Sequence, residues 1–338
     1  MMMKPTVSET HRTPLAFHEP VMVEEVLESL SIQPGNTCFD GTLGTGGHSL
    51  HIAEQLDNEG TLVAVDRDAA MLAIARERLS TAMGTRQNPP ALILEHATYA
   101  EAPAVLQRHG IQGVDALLLD VGINSLHVDQ ADRGFSFSKE GPLDGRFNPN
   151  DPTCRSVAQL VNESEEAQLA NWIYELSDER LARKIARAIV TTRESKPFET
   201  TTELAALVWN CYPANKRYDN IHPATRTFQA LRIVANNELE EMRRGLRACL
   251  QVLNPGGRMT VLSFQSLEDR MVKELFDELG SPKPDPGNPY SATTRAGLKY
   301  EVKSRGARKP SEAEIARNPR SRSTRLRTIQ RLGGNSPC

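Results

Sequence analysis

The sequence of 338 residues predicts an α/β fold, a doubly wound parallel sheet interrupted by an all-helical insertion. Two observations predict the sheet: short apolar runs, several ending in aspartate, alternate with helical patterns early in the chain, and this alternation returns near its end. A third observation predicts the insertion, because strand patterns stop after residue 124 and only helical patterns follow until about residue 219. Strands that alternate with helices are typical of a parallel sheet covered on both faces.

The first part of the chain contains four predicted strands and three predicted helices. Val114–Asp120 is apolar almost throughout, as expected of a strand that is buried on both faces. The second helix places apolar residues such as Met71 and Ala75 on one face, and Pro103 stands in the first turn of the third. The strands are Thr37–Asp40, Thr61–Asp66, 91–94 and Val114–Asp120, and the helices are 49–56, 69–79 and 102–109.

The second part contains a long loop, a run of helices and a return to the α/β pattern. Residues 124–150 are rich in Gly, Asp, Phe and Pro, which indicates an ordered loop. One long helix is predicted over 224–253, because the Asn-Pro-Gly-Gly stretch 254–257 is a good helix stop. The other predicted helices are 156–161, 164–175, 178–192, 200–211 and 267–279, and the remaining strands are 258–264, 300–303 and 323–329.

These patterns predict two domains, as does the length at about 150 residues per domain. The first is discontinuous, made of residues 18–127 and 220–332, and the second is the inserted helical domain 128–219, expected to recognise the substrate. Residues 1–17 are a predicted flexible tail, and residues 333–338 are a short tail.

Composition and cysteine usage exclude several classes of protein. Hydrophobic residues make up 39% of the chain and charged residues 25%, as in ordinary soluble proteins. The apolar runs are far shorter than the ~20 residues of a membrane span, and the N-terminus lacks the apolar core of a signal peptide. The five cysteines include no Cys-x-x-Cys pair, so neither a disulfide framework nor a zinc site is predicted. We therefore expect a cytoplasmic protein with no membrane partner.

The charge is unevenly distributed along the chain. The net charge is −3, yet residues 295–331 hold twelve basic and three acidic side chains, a net charge of +9. A basic segment attached to an acidic body suits a polyanionic partner, although a solvated tail would have the same composition.

Chemistry-bearing residues follow three of the predicted strands. The glycine-rich turn 41–48 follows the first strand, and Asp66 and Asp120 end the second and fourth. Loop glycines let backbone N–H groups approach a ligand, and an acid at the second strand end can accept both ribose hydroxyls of an adenosine cofactor. The alternative is a tight turn followed by a helix cap. Because ligands bind at the carboxyl ends of such strands, we expect these groups to share one crevice.

Several longer strings resemble one family. DGTLGTGGHS, AVDRD, LLDVGINS, DRGFSFSKEGPLDGRF, HPATRTFQALRI, NPGGR and SFQSLEDRMVK are together similar to the RsmH (MraW) family, and the likeness runs from about residue 18 to 332. The family consists of S-adenosylmethionine-dependent methyltransferases that modify the exocyclic N4 amine of a specific cytidine in the decoding centre of 16S rRNA. The resemblance implies a Rossmann-like class I methyltransferase sheet with an inserted helical domain, rRNA in the small ribosomal subunit or a late assembly form as substrate, and no metal.

The resemblance also implies a set of cofactor contacts. The glycine turn faces the methionine end of the cofactor, Asp66 binds its ribose, and Tyr99 stands where the family usually has Phe beside the adenine. His127 stands where the family often has Gln. The implied cofactor-binding residues are Gly46, Gly47, His48, Asp66, Tyr99, Asp120 and His127.

The reaction requires a weakly nucleophilic amine to be held in line with the methyl group. Acceptors for its N–H groups localise the nitrogen lone pair, and Asp120, Asn124 and Ser125 are the candidate catalytic residues by position. The chain departs from the family here, with Asn124-Ser125-Leu126 where Ser-Ser-Pro is common and Gln265 where His is common. A protein that binds RNA on a retained cofactor fold without catalysis is therefore the alternative, and the oligomeric state is not predicted.

Other side chains are candidates for RNA contact or substrate positioning. Phe135 and Phe137 could stack on bases or anchor their loop. One face of the helix after residue 222 could form a substrate wall, or hold only a cap and surface pairs, and the basic face of the helix over 178–192 could contact phosphates. The residues of these two faces are His222, Arg226 and Gln229, and Arg180, Arg183, Lys184 and Arg187.

Overall fold

The computed structural model describes residues 19–218, 221–280, 298–303 and 306–333. Within these ranges seven strands form one sheet: β1 (Thr37–Asp40), β2 (Thr61–Asp66), β3 (Ala91–His96), β4 (Val114–Asp120), β5 (Leu253–Ser263), β6 (Tyr300–Val302) and β7 (Arg325–Arg331). Their order across the sheet is β3-β2-β1-β4-β5-β7-β6. The predicted tail 1–17 lies outside the described residues, as does all of 333–338 except Gly333.

The sheet is parallel through its first five strands and antiparallel at one edge. β1 pairs with β2 and β4, and β3 and β5 extend the parallel part on either side. β7 runs antiparallel between β5 and β6. The strand order reverses between β1 and β4: β2 and β3 follow on one side of β1, and β4 and β5 follow on the other. The carboxyl ends of β1, β2 and β4 therefore lie side by side. The predicted α/β fold is confirmed.

Thirteen helices surround or extend the sheet within the described residues. They are α1 (Val23–Leu30), α2 (Gly47–Gln55), α3 (Ala69–Gly84), α4 (Ala102–Arg108), α5 (Ser125–Asp129), α6 (Val157–Glu163), α7 (Glu166–Ser177), α8 (Ala182–Arg193), α9 (Thr201–Cys211), α10 (Ala224–Ala235), α11 (Glu238–Gln251), α12 (Ser266–Gly280) and α13 (Glu312–Arg317). No helix in this part of the chain combines the length and apolar character needed to span a membrane.

Alternation along the strands divides the sheet core into two faces. Phe39 and Leu117 pack in a cluster with Leu246 of α11, whereas the neighbouring Cys38 and Leu118 belong to a cluster on the other side. Because successive side chains of a strand point to opposite faces, a continuous apolar strand supports helices on both sides.

Helices α6 to α10, which lie between β4 and β5, build a separate apolar core. Leu160 of α6, Leu169 of α7, Ile185 of α8 and Leu204 of α9 are almost completely buried together. Leu231 of α10 belongs to the same core, so α10 packs with the inserted helices. The domain boundaries themselves stay a prediction.

The predicted long helix over 224–253 is wrong, because it is broken into α10 and α11. Asn236 is 1% exposed and uses its side chain for tertiary bonds: it accepts from the N–H of Phe147 at 2.8 Å and donates to the carbonyl of Gly145 at 2.8 Å. Asn237 then adopts the left-handed conformation with φ 48°, which asparagine tolerates better than most residues.

Smaller differences concern where elements begin. The helix expected over 178–192 begins at Ala182, because Asp178 adopts the left-handed conformation that ends α7. β5 begins at Leu253 rather than 258, and its pairing with β4 is irregular between Val114 and Ala116. α1, α5 and α13 were not predicted from the sequence, and α5 lies within the predicted loop 124–150.

Candidate active site

The main cavity lies at the carboxyl ends of the parallel strands, where an open α/β sheet binds its ligands. Its volume is about 770 Å³, within the range of roughly 300–1,000 Å³ that ligand pockets occupy. Its lining includes residues at or after the ends of β1, β2, β4 and β5, together with residues of the segments 134–138 and 225–233. The predicted site residues on its wall are Gly47, His48, Asp66, Tyr99, Asp120, Asn124 and His127.

The glycine turn is shaped by backbone conformation and close packing. Gly46 has φ 80° and ends the turn before α2, and its N–H donates to the carbonyl of Leu43 at 2.8 Å. The structure therefore makes Gly46 a residue of the turn and does not place it on the cavity wall. At Gly41 a Cβ would lie 2.4 Å from Leu119 and 2.7 Å from Tyr99, so a side chain there would displace the cavity wall.

Asp66 connects the glycine turn to the start of α3. One carboxylate oxygen accepts from the N–H of Gly44 at 2.7 Å, and the other accepts from the N–H of Asp68 at 2.8 Å. Burial raises the pKa of Asp66, and these two hydrogen bonds oppose the rise. Asp66 lines the cavity, and the lone pairs that remain on its carboxylate can accept from ligand hydroxyls.

Three carboxyl groups and a histidine gather at the ends of β1, β4 and β5. Burial is the main cause that raises the pKa of Asp120 to about 7, and the carboxyls of Asp40 and Glu268 add to it. Burial likewise raises the pKa of Asp40 to about 6 and that of Glu268 to about 7. It lowers the pKa of His48 to about 3, so this imidazole is neutral at pH 7.

Two polar atoms of this cluster lack a hydrogen-bond partner within the described chain. They are Nε2 of His48 and Oδ1 of Asp120, both buried. His48 Nε2 lies 3.7 Å from the other Asp120 oxygen, which is too long for a hydrogen bond. Because buried polar atoms are almost always paired, these two atoms indicate a place where a ligand completes the site.

Buried hydrogen bonds and an ion pair to Asp68 hold the loop after β4. Asp68 accepts from His127 Nε2 at 2.8 Å and from Arg133 at 2.7 Å, and these bonds lower its pKa to about 2 against the effect of burial. The other ring nitrogen of His127 accepts from the N–H of Asn124 at 3.2 Å. Both His127 nitrogens are therefore engaged within the protein.

Asn124 and Ser125 open α5. The side-chain oxygen of Asn124 accepts from the N–H of Leu126 at 2.9 Å and caps the helix. The Asn124 side chain also accepts from the backbone N–H of His127 in a capping box, so the start of the helix engages both lone pairs of this oxygen. Ser125 is the first residue of the helix, but its side chain lies outside what the structure describes.

Tyr99 forms the cavity wall beyond β3. A Cβ on Gly245 of α11 would lie 2.1 Å from the Tyr99 ring, so α11 approaches this ring as closely as glycine permits. Burial holds the pKa of the Tyr99 hydroxyl well above its usual range.

Part of the cavity wall is aromatic. Phe135 stacks on His127 with ring centroids 4.9 Å apart, and Phe137 packs against Phe228 of α10 at 4.9 Å. Both phenylalanines thus anchor the loop and also line the cavity. Gln229 and Gln265 join this wall through a side-chain hydrogen bond of 2.8 Å.

Sequence reasoning missed three residues of this site. Asp68 follows Asp66 in the string VDRD, Arg133 precedes the two named phenylalanines, and Glu268 lies in SLEDR. Glu268 accepts from the N–H groups of Phe264 and Gln265 at the start of α12. These residues lie in or beside the family motifs, which marks them as candidates, but only tertiary contacts show which acidic side chain pairs with which basic one.

Four described arginines of the basic C-terminal segment bind groups elsewhere in the protein. Arg308 pairs with Glu28, and Arg327 binds both oxygens of Asp269 at 2.7 and 3.0 Å. Arg317 pairs with Glu19 and Glu314, and Arg331 donates to the carbonyl of Leu253. Arg320 and Arg322 are exposed and form no ion pair with another described residue, and Arg320 lies on the cavity rim.

The other predicted basic face is only partly available. Lys184 donates to the carbonyl of Cys211 at 2.6 Å, and Arg187 lies 3.5 Å from Glu166. Arg180 and Arg183 are exposed. Near α10, His222 accepts from the N–H of Ala224 at 3.1 Å, which is a cap.

Comparison with known proteins gives one consistent result. The model of the MraW methylase family matches residues 15–332. Proteins named ribosomal RNA small subunit methyltransferase H are 44% identical in Syntrophobacter fumaroxidans (95% of this chain, 98% of that one) and 40% identical in Coxiella burnetii (93% and 99%). A solved rRNA methylase from Streptococcus thermophilus superposes with a TM-score of 0.41 at 11% identity, covering 92% of this chain and 94% of that one. The resemblance stated from the sequence motifs is thus confirmed, and the chain belongs to the MraW methylase family.

Proposed function

We propose that this protein transfers the methyl group of S-adenosylmethionine to the exocyclic N4 amine of a specific cytidine in 16S rRNA. Membership of a methylase family over residues 15–332 supports the reaction class. The observation that carries the proposal is the cavity itself, in which the glycine turn and Asp66 adjoin an unpaired Asp120 oxygen and an aromatic wall.

The residues present fit the cofactor. Asp66 is the acceptor for the ribose hydroxyls, and the adenosine part of the cofactor adjoins Tyr99 and His127, which line the same cavity. Gly47 and His48 stand at the methionine end, where the unpaired His48 Nε2 is available to a polar ligand group. When bound, S-adenosylmethionine supplies an electrophilic methyl group on a positively charged sulfur.

Asp120 is the acceptor best placed for the substrate amine. Its Oδ1 is buried without a partner, and its backbone N–H donates to Thr42 Oγ1 at 2.6 Å, which holds the residue in place. Accepting an N–H from the amine draws the lone pair onto nitrogen, and this bond strengthens as nitrogen gains positive charge. Asn124 and Ser125 are the further catalytic candidates at the same strand end.

The substrate approaches from the aromatic side of the cavity. Phe135, Phe137 and Phe228 offer an apolar wall for a base, and the helices α6–α9 extend from the same side, which suits recognition of RNA by the segment 128–219. The substrate is the small ribosomal subunit or a late assembly form of it, and methylation takes place in the cytoplasm.

Mass spectrometry of 16S rRNA tests the proposal. Nucleosides from small subunits of cells with and without this protein are compared, and the purified protein is then incubated with the unmethylated subunits and S-adenosylmethionine. We expect N4-methylated cytidine to be lost without the protein and restored by it in vitro. Unchanged cytidine methylation in both experiments would refute the proposal and favour an RNA-binding protein without catalysis.

A further inference from the structure

We propose that Gln265 reads the target base: its side-chain NH₂ donates to N3 and O2 of the cytosine, and Gln229 sets the orientation of that amide. The inference rests on the proposed function and adds a residue that determines base specificity. It is carried by one hydrogen bond and by the position of this pair in the cavity.

The position of Gln265 follows from the sheet. β4 and β5 are parallel neighbours, and Asp120 lies opposite Leu262 in their register. Parallel strands are about 4.8 Å apart, so the segment that follows β5 lies beside the segment that follows β4. Gln265 is three residues beyond Leu262 and lines the same cavity as Asp120. A base whose amine meets Asp120 therefore has its adjacent edge near Gln265.

The orientation of the amide follows from what each neighbour can do. The carbonyl of Leu176 only accepts, and Gln229 directs its NH₂ toward it at a long 3.4 Å. The same NH₂ donates to Oε1 of Gln265 at 2.8 Å. If both amides were reversed, the Gln229 oxygen would face the Leu176 oxygen, which is repulsive. The oxygen of Gln265 is thus occupied, and its NH₂ forms no hydrogen bond within the described residues.

The remaining groups of Gln265 are also accounted for. Its backbone N–H donates to Glu268 at 3.1 Å, which fixes the start of α12. The Gln229–Gln265 pair stands where the main cavity meets a smaller groove of about 280 Å³, since both residues line both spaces. Phe264 and Phe228 provide apolar surfaces beside the pair. The donor therefore belongs to a side chain that is held by hydrogen bonds at its backbone N–H and at its oxygen. Apolar side chains lie beside it.

The hydrogen-bond pattern selects cytosine over uracil. Cytosine presents a donor at N4 and acceptors at N3 and O2, which complement the Asp120 acceptor and the Gln265 donor. Uracil presents an acceptor at position 4 and an N–H at N3, so acceptor would face acceptor at Asp120 and donor would face donor at N3, and only its O2 still fits the Gln265 donor. A buried mismatch of this kind discriminates strongly, because polar groups of the site are left unpaired.

The test combines variants with altered bases. Protein saturated with S-adenosylhomocysteine is titrated with cytidine, uridine and 3-deazacytidine 5′-monophosphates, the last of which lacks the N3 acceptor. We expect the wild type to bind the cytidine nucleotide about tenfold more tightly than the 3-deaza analogue. In Gln265→Met, which has similar length but no donor, the two affinities should become nearly equal. Gln265→His restores a donor and should restore the preference.

Two further variants separate reading from folding. Gln229→Met leaves the Gln265 donor but removes the group that orients it, so the preference should fall only in part. Gln251→Met, on the exposed face of α11, is the matched control and should behave as wild type. A preference for N3 that survives in a folded Gln265→Met protein would overturn the inference. A purely structural role would lower both affinities together and leave their ratio unchanged, which also overturns it.

Methylation of small subunits distinguishes this inference from the proposed function. If the wild-type protein does not methylate the subunits, the proposed function fails. If the wild type methylates them and Gln265→Met does so at the same single-turnover rate, the function stands and the inference fails. We expect a loss of about tenfold in the rate of Gln265→Met.

Discussion

Replacing Asp66 should affect cofactor binding and stability together. The sequence alone suggests that Asp66→Ala weakens cofactor binding with little effect on folding. The structure changes this expectation, because the carboxylate accepts from the N–H groups of Gly44 and Asp68 at 2.7 and 2.8 Å. Both donors lose their acceptor in the alanine variant, and each loss destabilises the protein by about 1 kcal/mol when water can partly replace it.

The effect on affinity is at least as large. Two ribose hydroxyls lose an acceptor in the cavity, each at a cost of ~1–3 kcal/mol. Even the lower limit, ~2 kcal/mol in sum, raises the dissociation constant of S-adenosylmethionine about thirtyfold. In Asp66→Asn one backbone bond is kept and an NH₂ group faces the other N–H, so both effects should be intermediate.

Calorimetric titration with S-adenosylmethionine measures the affinity, and urea unfolding without cofactor measures the stability. Glu77 is exposed on α3, and Glu77→Gln removes one negative charge, as Asp66→Ala does. This variant is the control and should leave both the affinity and the stability unchanged. An unaltered dissociation constant in folded Asp66→Ala would refute the ribose role. An unaltered free energy of unfolding would show that the two backbone bonds do not support the turn.

Three other predictions follow from the site. Asn124→Ala should lose about 1 kcal/mol of stability, because the cap of α5 is removed, and should slow single-turnover methylation; Asn124→Ser keeps a cap and should remain active. Because the pKa of Asp120 is raised to about 7, the cationic S-adenosylmethionine should bind more tightly as pH rises through about 7, whereas S-adenosylhomocysteine should not share this gain. Asp120→Asn should make the two pH profiles parallel. Neutralising exposed Arg320 and Arg322 should lower the log–log salt slope of RNA binding by roughly two units, whereas Arg327→Gln, which breaks the pair with Asp269, should lower stability and leave that slope unchanged.

Each of these predictions has a result that would contradict it. A wild-type methylation rate in Asn124→Ala at saturating RNA and cofactor would remove Asn124 from the mechanism. Equal pH profiles for the two cofactor forms in the wild type would mean that Asp120 does not sense the sulfonium charge. An unchanged salt slope in the double arginine variant would show that the C-terminal segment does not contact phosphates.

Much of the fold is already decided by local patterns in the sequence. Val114–Asp120 is apolar on both faces and can only be a covered strand, and the turn 41–48 has glycines where φ is positive. Such features depend on a few neighbouring residues, so their structure can be predicted without the rest of the chain. The family motifs are equally local, and they predicted the fold class and the family, which are confirmed.

Only the tertiary structure decided how distant groups are paired. Asn236 breaks the predicted long helix because its amide binds Gly145 and Phe147, about ninety positions earlier. Asp68 binds His127 and Arg133, so that His127, which is expected at the cofactor, also holds the loop after β4. Hydrogen bonds and ion pairs act over a few ångströms in space whatever the separation along the chain, and burial decides which of them persist. The sequence by itself therefore determined the elements and the strand ends where the cavity lies, whereas the partners of each buried polar group were decided by packing.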